Sequence, residues 1–394
     1  MVLESSSNME PIAIADHSPV NTGARVAIIH YWLVGMRGGE RVIESLCRIF
    51  PDADIYTHVV AKENLSAFLQ GQSIKTTFIA RLPRAKKMYQ SYLPLMPLAL
   101  EELDLSGYDL VISSEAGPAK GVIVPPGVPH ICYCHSPMRY LWDQYHVYKA
   151  GAGRLTRLMM PFLAHSLREW DVTSAMRVDA FLANSNHVAD RIEKYWRRPS
   201  AVVHPPVQVE EFSPVPEREL GDFYLWAGEL ASYKRPDIAI DAFNRMGKKL
   251  IVIGGPDKEI KRYTKLAKDN ITFLGKVSYE QLKSHMARCR ALVFPGEEDF
   301  GIVPVEAMAS GRPVIAFAKG GALDTVVHGK TGLLFEEQSA DGLIAAVSEL
   351  EKSRDLEISP KYCRSHSMKF NESAFQQGVI AATEKLGFFR KSMF

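Results

Sequence analysis

The chain is predicted to be an α/β protein of two doubly wound domains that face each other across a cleft. Three observations carry that prediction. From Arg25 onward, short apolar runs alternate with stretches whose apolar residues recur at helical spacing, the pattern of parallel sheets with right-handed helical crossovers. The alternation breaks once, over residues 202–222, in a segment rich in proline and acidic residues, and then resumes. Glycine-bearing and charged segments stand where strands give way to helices, the ends at which such sheets bind ligands.

Residues 1–24 are polar and lack the basic-then-apolar order of a signal peptide, so they read as a disordered leader. "RVAIIHYW" is the first strand and "GGERVIESLCRIF" its helix. "DADIYTHV", "YDLVISSE", "HICYCHS" and "AFLANS" are further strands, and "SNHVADRIEKYW" is a helix opened by a Ser/Asn cap. After the break, "DFYLWAGE", "KKLIVIGG", "NITFLGKV", "ALVFPG" and "PVIAFA" read as strands, with helical patterns between them. The expected organisation is a Rossmann-like domain over 25–205, a linker over 206–222, a second Rossmann-like domain over 223–375, and a helical tail over 376–394 that crosses back to the first domain.

Composition narrows the function. A net charge of +2 argues against bulk nucleic-acid binding. No run reaches ~18 apolar residues, the length a membrane-spanning helix needs. Five scattered cysteines do not make a disulfide framework and suit a reducing cytoplasm. Cys132, Cys134 and His135 in "CYCHSP" lack a second Cys/His set, so strand alternation accounts for the two thiols better than a zinc site does.

The richest chemistry lies in "FPGEEDFGIVPVEAMASG", residues 294–311. "ALVF" is a strand, "PGEEDFG" the loop at its end, and a helix begins near Ile302, with Pro304 tolerated in its first turn and Gly311 closing it. The loop delivers Glu298 into the cleft. The amides of Phe300, Gly301 and Ile302 at the helix start form an anion site, and Glu306 lies about one turn inside. Two carboxylates flanking an anion hole suit a sugar nucleotide, one for the donor sugar and one for the ribose. The bland alternative has Glu298 solvated and Glu306 capping nearby backbone. Gly38 and Gly39 let backbone come close to a ligand ahead of their helix, and Gly320 and Gly321 follow the same logic. Lys234 and Arg235, in a strand-end loop, suit a diphosphate leaving group, against the alternative of a solvated surface pair.

With these motifs in place, the chain from about Arg25 resembles a retaining glycosyltransferase of family 4, with the GT-B fold. The marks are "GGERV" at 38–42, "CHSP" at 134–137, "ANS" at 183–185, "GELASYKRPDIAIDAF" at 228–243 and above all the Glu-x7-Glu of "EDFGIVPVEAMASG" at 298–311. "CYCHSPMRYLWDQY" is similar to bacterial mannosyltransferases that use GDP-mannose in surface polysaccharide assembly. The resemblance implies that Glu298 contacts donor-sugar hydroxyls and Glu306 the ribose. It implies Lys234 on the diphosphate, Gly38 and Gly39 against it, and His135 near sugar and acceptor, with the first domain taking the acceptor and the second the nucleotide. One departure is Glu229, where many members carry an arginine for the diphosphate; either Arg235 supplies the second charge or the phosphate clamp is weaker. No metal or other cofactor is implied. "DAD" at 52–54 mimics an Asp-x-Asp metal motif but reads as a turn before a strand.

The expected partners are a nucleotide sugar, a polyprenyl-diphosphate-linked oligosaccharide acceptor and an anionic membrane surface, on the cytoplasmic face of the cell membrane. Arg81, Arg84, Lys86 and Lys87, followed by "MYQSYLPLMPLAL", are the expected membrane face, with "LGFFRKSMF" a second contact. Retention leaves two routes open: a covalent double displacement, for which no far-face carboxylate stands out, or same-face attack assisted by the leaving phosphate. Other readings of the same layout are another nucleotide-sugar donor, a two-domain sugar-nucleotide epimerase, and a non-catalytic sugar-nucleotide-binding scaffold.

Overall fold

The computed structural model describes residues 23–353 and 356–388. Most of the expected leader, and residues 389–394 of the expected tail, lie outside them. Among the described residues the strands form two parallel sheets. The first contains β1 (Val26–His30), β2 (Asp54–Thr57), β3 (Ile74–Thr76), β4 (Leu110–Glu115), β5 (His130–Cys134), β6 (Ala180–Ala183) and β7 (Ser200–Val202), in the order β3-β2-β1-β4-β5-β6-β7. The second contains β8 (Tyr224–Ala227), β9 (Leu250–Ile253), β10 (Ile271–Gly275), β11 (Leu292–Phe294), β12 (Val314–Phe317) and β13 (Gly332–Phe335), in the order β10-β9-β8-β11-β12-β13. Both are doubly wound, and their strand orders reverse at β1/β4 and β8/β11. Crevices open beyond the strand ends at such switch points.

Seven helices position the surfaces discussed below: α1 (Gly38–Ile49), α2 (Tyr145–Gly151), α3 (Arg154–Ala175), α4 (Asn186–Trp196), α5 (Pro236–Met246), α6 (Ile302–Ala309) and α7 (Glu372–Lys385). β1 is buried on both faces, as a central parallel strand must be. Val26 and Ile28 pack with Val42, Ile43 and Leu46 of α1, while Ala27 and Ile29 meet Leu105 and Val122 on the other side.

One expectation is corrected here and three gain detail. The expected 206–222 linker is anchored: Val207, Val209 and Phe212 are buried with Leu225, Leu292 and Met308 in the second core. Gly38 and Gly39 are the first residues of α1 rather than a loop before it. The returning helix starts at Glu372; its Phe375 and Val379 join the first core, and Arg48 pairs with Glu372. Of the stretch expected to give a second membrane contact, Phe388 is buried, its ring 6.3 Å from that of Phe50, and residues 389–394 lie outside the described residues.

Candidate active site

The loops that follow β1, β5, β8 and β11 converge on the cleft. Lys234 comes from the loop after β8 and Glu298 from the loop after β11, so the two flank the second switch point. Their side chains meet: Lys234 Nζ lies 2.7 Å from Glu298 Oε1, both largely buried. Burial works against the lysine's charge, and Glu298, Tyr233 and Glu229 together outweigh it, raising the Lys234 pKa. Backbone approach makes this possible. A Cβ on Gly296 would lie 2.6 Å from the Lys234 Cα, and Gly228, at φ +148°, leaves the lysine stem its path.

Gly301 (φ +87°) opens α6, and Pro304 sits in its first turn, so the amides of Ile302 and Val303 have no intrahelical acceptor. The Phe300 ring is buried on His204 and Phe370, at 5.4 and 5.7 Å between centroids, which anchors the loop. Across the cleft stands the start of α1. A Cβ on Gly38 would come within 2.7 Å of Ile302 Cδ1, and one on Gly39 within 2.8 Å of the Tyr31 hydroxyl. Two helix N-termini thus face one space, each adding positive potential suited to phosphate.

His135 flanks the α1 start, its Nε2 3.8 Å from where a Gly39 Cβ would stand. Ser114 Oγ lies 2.8 Å from His135 Nε2 and 3.1 Å from His30 Nδ1, bridging the two rings. Burial lowers the His135 pKa to about 4, so at neutral pH it is an uncharged imidazole, fit to hydrogen-bond a hydroxyl but not to neutralise phosphate.

Glu306 is half-buried inside α6. Burial pushes its carboxyl up to about 7, against the pull of Arg41 and Lys234 and with Glu211 adding to the rise. The sign follows. At low pH folded and unfolded chains both hold this proton. Between its ordinary value of 4.5 and about 7 only the folded chain keeps it, so stability falls as pH rises, and above 7 the full cost persists. Glu306→Gln is therefore expected to raise stability at pH 8 by on the order of 1–2 kcal/mol and to change it little near pH 4.5. Paired thermal melts at the two pH values check this; an equal shift at both would remove the buried-carboxylate argument.

Several expected site residues are elsewhere. Arg235, at φ +52° ahead of α5, turns away from Lys234: its Nη2 donates to Asp237 Oδ2 at 2.8 Å and its Nη1 to Gln338 Oε1 at 3.3 Å. Its guanidinium is thus occupied away from Lys234. Gly320 and Gly321 are a packing device rather than an anion site, since the Gly321 amide donates to the Glu298 carbonyl at 2.9 Å. Asp54 opens β2 at the strand end away from the cleft. Burial opposes its ionisation, yet hydrogen bonds from Ser73, Tyr108 and Lys75 hold its carboxyl at about 2. Arg81, Arg84, Lys86 and Lys87 are exposed, though Lys86 pairs with Glu63 at 3.3 Å.

Sequence reasoning missed the tie between the domains. Asp299, beside Glu298, receives Arg191 Nη1 from α4 at 2.6 Å, and Arg139 Nη2 lies 3.5 Å from the same oxygen. The Asp299 carbonyl accepts the hydroxyl of Ser185, the α4 cap, at 2.5 Å. Arg191 also holds Asp143 and Ser136. "DFG" and "HSPMRY" were visible as motifs, but only the fold brings them to α4. Arg191→Ala is expected to lower kcat/KM roughly tenfold to a hundredfold by loosening the Glu298 loop, and to broaden interdomain distances in solution scattering. Arg191→Lys should recover part of both. Unchanged kinetics in Arg191→Ala would make the tie merely structural.

Comparison with known proteins agrees with this architecture. A family model described as glycosyl transferases group 1 matches residues 208–369, and one described as glycosyltransferase family 4 matches residues 36–211. The chain belongs to these glycosyltransferases. The chain is similar to the α-1,3/1,6-mannosyltransferase alg2 of Schizosaccharomyces pombe, at 26% identity over 80% of this chain and 72% of the relative. It is 41% identical, over 119 residues, to a GDP-mannose-dependent α-(1-6)-phosphatidylinositol monomannoside mannosyltransferase of Mycobacterium tuberculosis, covering 27% of this chain and 30% of that protein. An uncharacterized glycosyltransferase of Methanocaldococcus jannaschii matches at 29% over 53% of this chain, which spans 60% of that relative's length. Among solved structures, sucrose-phosphate synthase of Thermosynechococcus elongatus superposes with a TM-score of 0.69 at 18% identity, covering 92% of this chain and 99% of the other. The Anabaena protein HepE, in complex with UDP and glucose, gives 0.65 at 16% identity over 91% and 99%. The fold of the glycosyltransferase is thus GT-B.

Proposed function

We propose that this glycosyltransferase moves mannose from GDP-mannose, with retention, onto a lipid-linked oligosaccharide, a polyprenyl diphosphate carrier being the expected anchor, in exopolysaccharide or O-antigen assembly at the inner face of the cell membrane. The observation that carries the reading is the Lys234–Glu298 pair beside the α6 amides. A cation and two helix N-termini suit a diphosphate, a carboxylate beside them suits sugar hydroxyls, and Glu306 suits the ribose. The mannosyltransferase relatives support the donor sugar. In the reaction the bond from the anomeric carbon to the diphosphate oxygen breaks, and GDP leaves with the electron pair. Lys234 and the amides offset the charge growing on it. The acceptor hydroxyl bonds to the same face of the carbon and gives its proton to the departing phosphate. Neutral His135 holds a sugar or acceptor hydroxyl. This chemistry uses no metal.

The test is incubation with radiolabelled GDP-mannose and a membrane lipid extract, with EDTA present. Label entering the organic phase is expected. An isomerised nucleotide sugar would favour the epimerase reading, tight binding without turnover a scaffold, transfer only from another nucleotide sugar a different donor, and a strict need for a divalent cation the metal reading.

A further inference from the structure

An apolar ridge stands beside the cleft. α3 buries Ala164, Leu167 and Asp171, with Met160 partly buried on the same side. The opposite face should be polar. Instead Leu155 is 75% exposed, Leu158 67% and Phe162 70%, at i, i+3 and i+7 of one stripe, with Met159 beside them and Val147 and Tyr148 exposed on α2. The next turns of the stripe are His165 and Glu169, so the apolar face is confined to the first half of the helix. A patch of this kind on a soluble chain marks an interaction surface.

Charge identifies the partner. From Tyr145 to Arg168 there is no aspartate or glutamate, while Lys149, Arg154, Arg157 and Arg168 are all basic. A second copy on this face would bring like charges together; an anionic bilayer would not. The ridge is rigid, because Arg157 Nη2 donates to the Ala150 and Ala152 carbonyls at 2.6 and 3.2 Å, bracing α2 on α3. No described helix is long and apolar enough to cross a membrane, so this one would lie in the plane of the interface. The ridge also borders the site. Tyr148 lies 6.1 Å from Tyr140, and the adjoining Arg139 sits over the ring of Tyr233, next to Lys234.

We propose that α2 and the first turns of α3 form an in-plane membrane anchor. Leu155, Leu158, Phe162 and Val147 enter the acyl boundary of an anionic bilayer, with Lys149 and Arg154 at headgroup level. The anchor adds a second hydrophobic contact to that of the Arg81–Lys87 face, where Met88, Leu95 and Leu98 are exposed. Its use in presenting a lipid-linked acceptor to the cleft rests on the proposed function; membrane binding itself does not.

Sedimentation with phosphatidylglycerol-containing and pure phosphatidylcholine vesicles, without substrate, tests it. Leu155→Ser, Leu158→Ser and Phe162→Ser combined should lower partitioning onto the anionic vesicles at least tenfold while leaving the melting temperature and transfer to a water-soluble acceptor unchanged. Phe162→Trp should show blue-shifted fluorescence that brominated lipid quenches. Wild-type vesicle binding by the triple variant, or no spectral shift, would overturn the proposal. So would a dimer that the triple substitution dissociates with no effect on vesicles. Failure of mannosyl transfer with vesicle binding intact would count against the proposed reaction alone.

Discussion

Glu298→Ala is expected to reduce sugar transfer by roughly 10³-fold or more while GDP alone binds within a few-fold of the wild type. The carboxylate touches Lys234 in the free enzyme and is assigned to donor-sugar hydroxyls in the complex. Its loss removes orientation of the reacting carbon, and it frees Lys234 rather than depriving the nucleotide of a contact. Single-turnover rates with GDP-mannose, beside calorimetric titration with GDP, separate the two effects. Wild-type turnover would remove Glu298 from the reaction, and an equal loss of GDP affinity would move it to the nucleotide.

Lys234→Ala should follow closely, with kcat lowered roughly 10²–10³-fold and donor affinity changed less, because charge on the departing diphosphate grows toward the transition state. Arg235 cannot compensate while Asp237 and Gln338 hold its guanidinium. Lys234→Arg should recover little, since the lysine stem lies against Gly228 and a planar guanidinium does not reproduce a compact ammonium. A rise in the apparent KM for donor with kcat unchanged would make Lys234 a ground-state binding residue.

Much of this layout is legible before folding. Long apolar strands buried on both faces, such as β1 and β4, declare themselves, and the loop carrying Glu298 is legible because strand, glycine and helix signals follow in close succession. β3, β7 and β13 are not, being three or four residues long and at sheet edges, with little periodicity to read. Lys234 and Arg235 are adjacent in sequence, but the left-handed backbone at Arg235 sends their side chains apart, which composition does not encode. Arg191 and Asp299 are 108 positions apart, and their pairing exists only once both sheets have formed. The exposed stripe of α3 has the spacing of an ordinary core face; only the packing of Met160, Ala164 and Leu167 on the other side reveals that it lacks a partner.

The most direct test of the account is a crystal structure with GDP-mannose bound. It predicts the diphosphate between Lys234 Nζ and the first amides of α6, the ribose hydroxyls on Glu306, and the mannose hydroxyls on Glu298, with the Lys234–Glu298 contact lengthened or broken. A nucleotide seated away from α6, or a diphosphate held by other residues while Lys234 stays paired with Glu298, would contradict it.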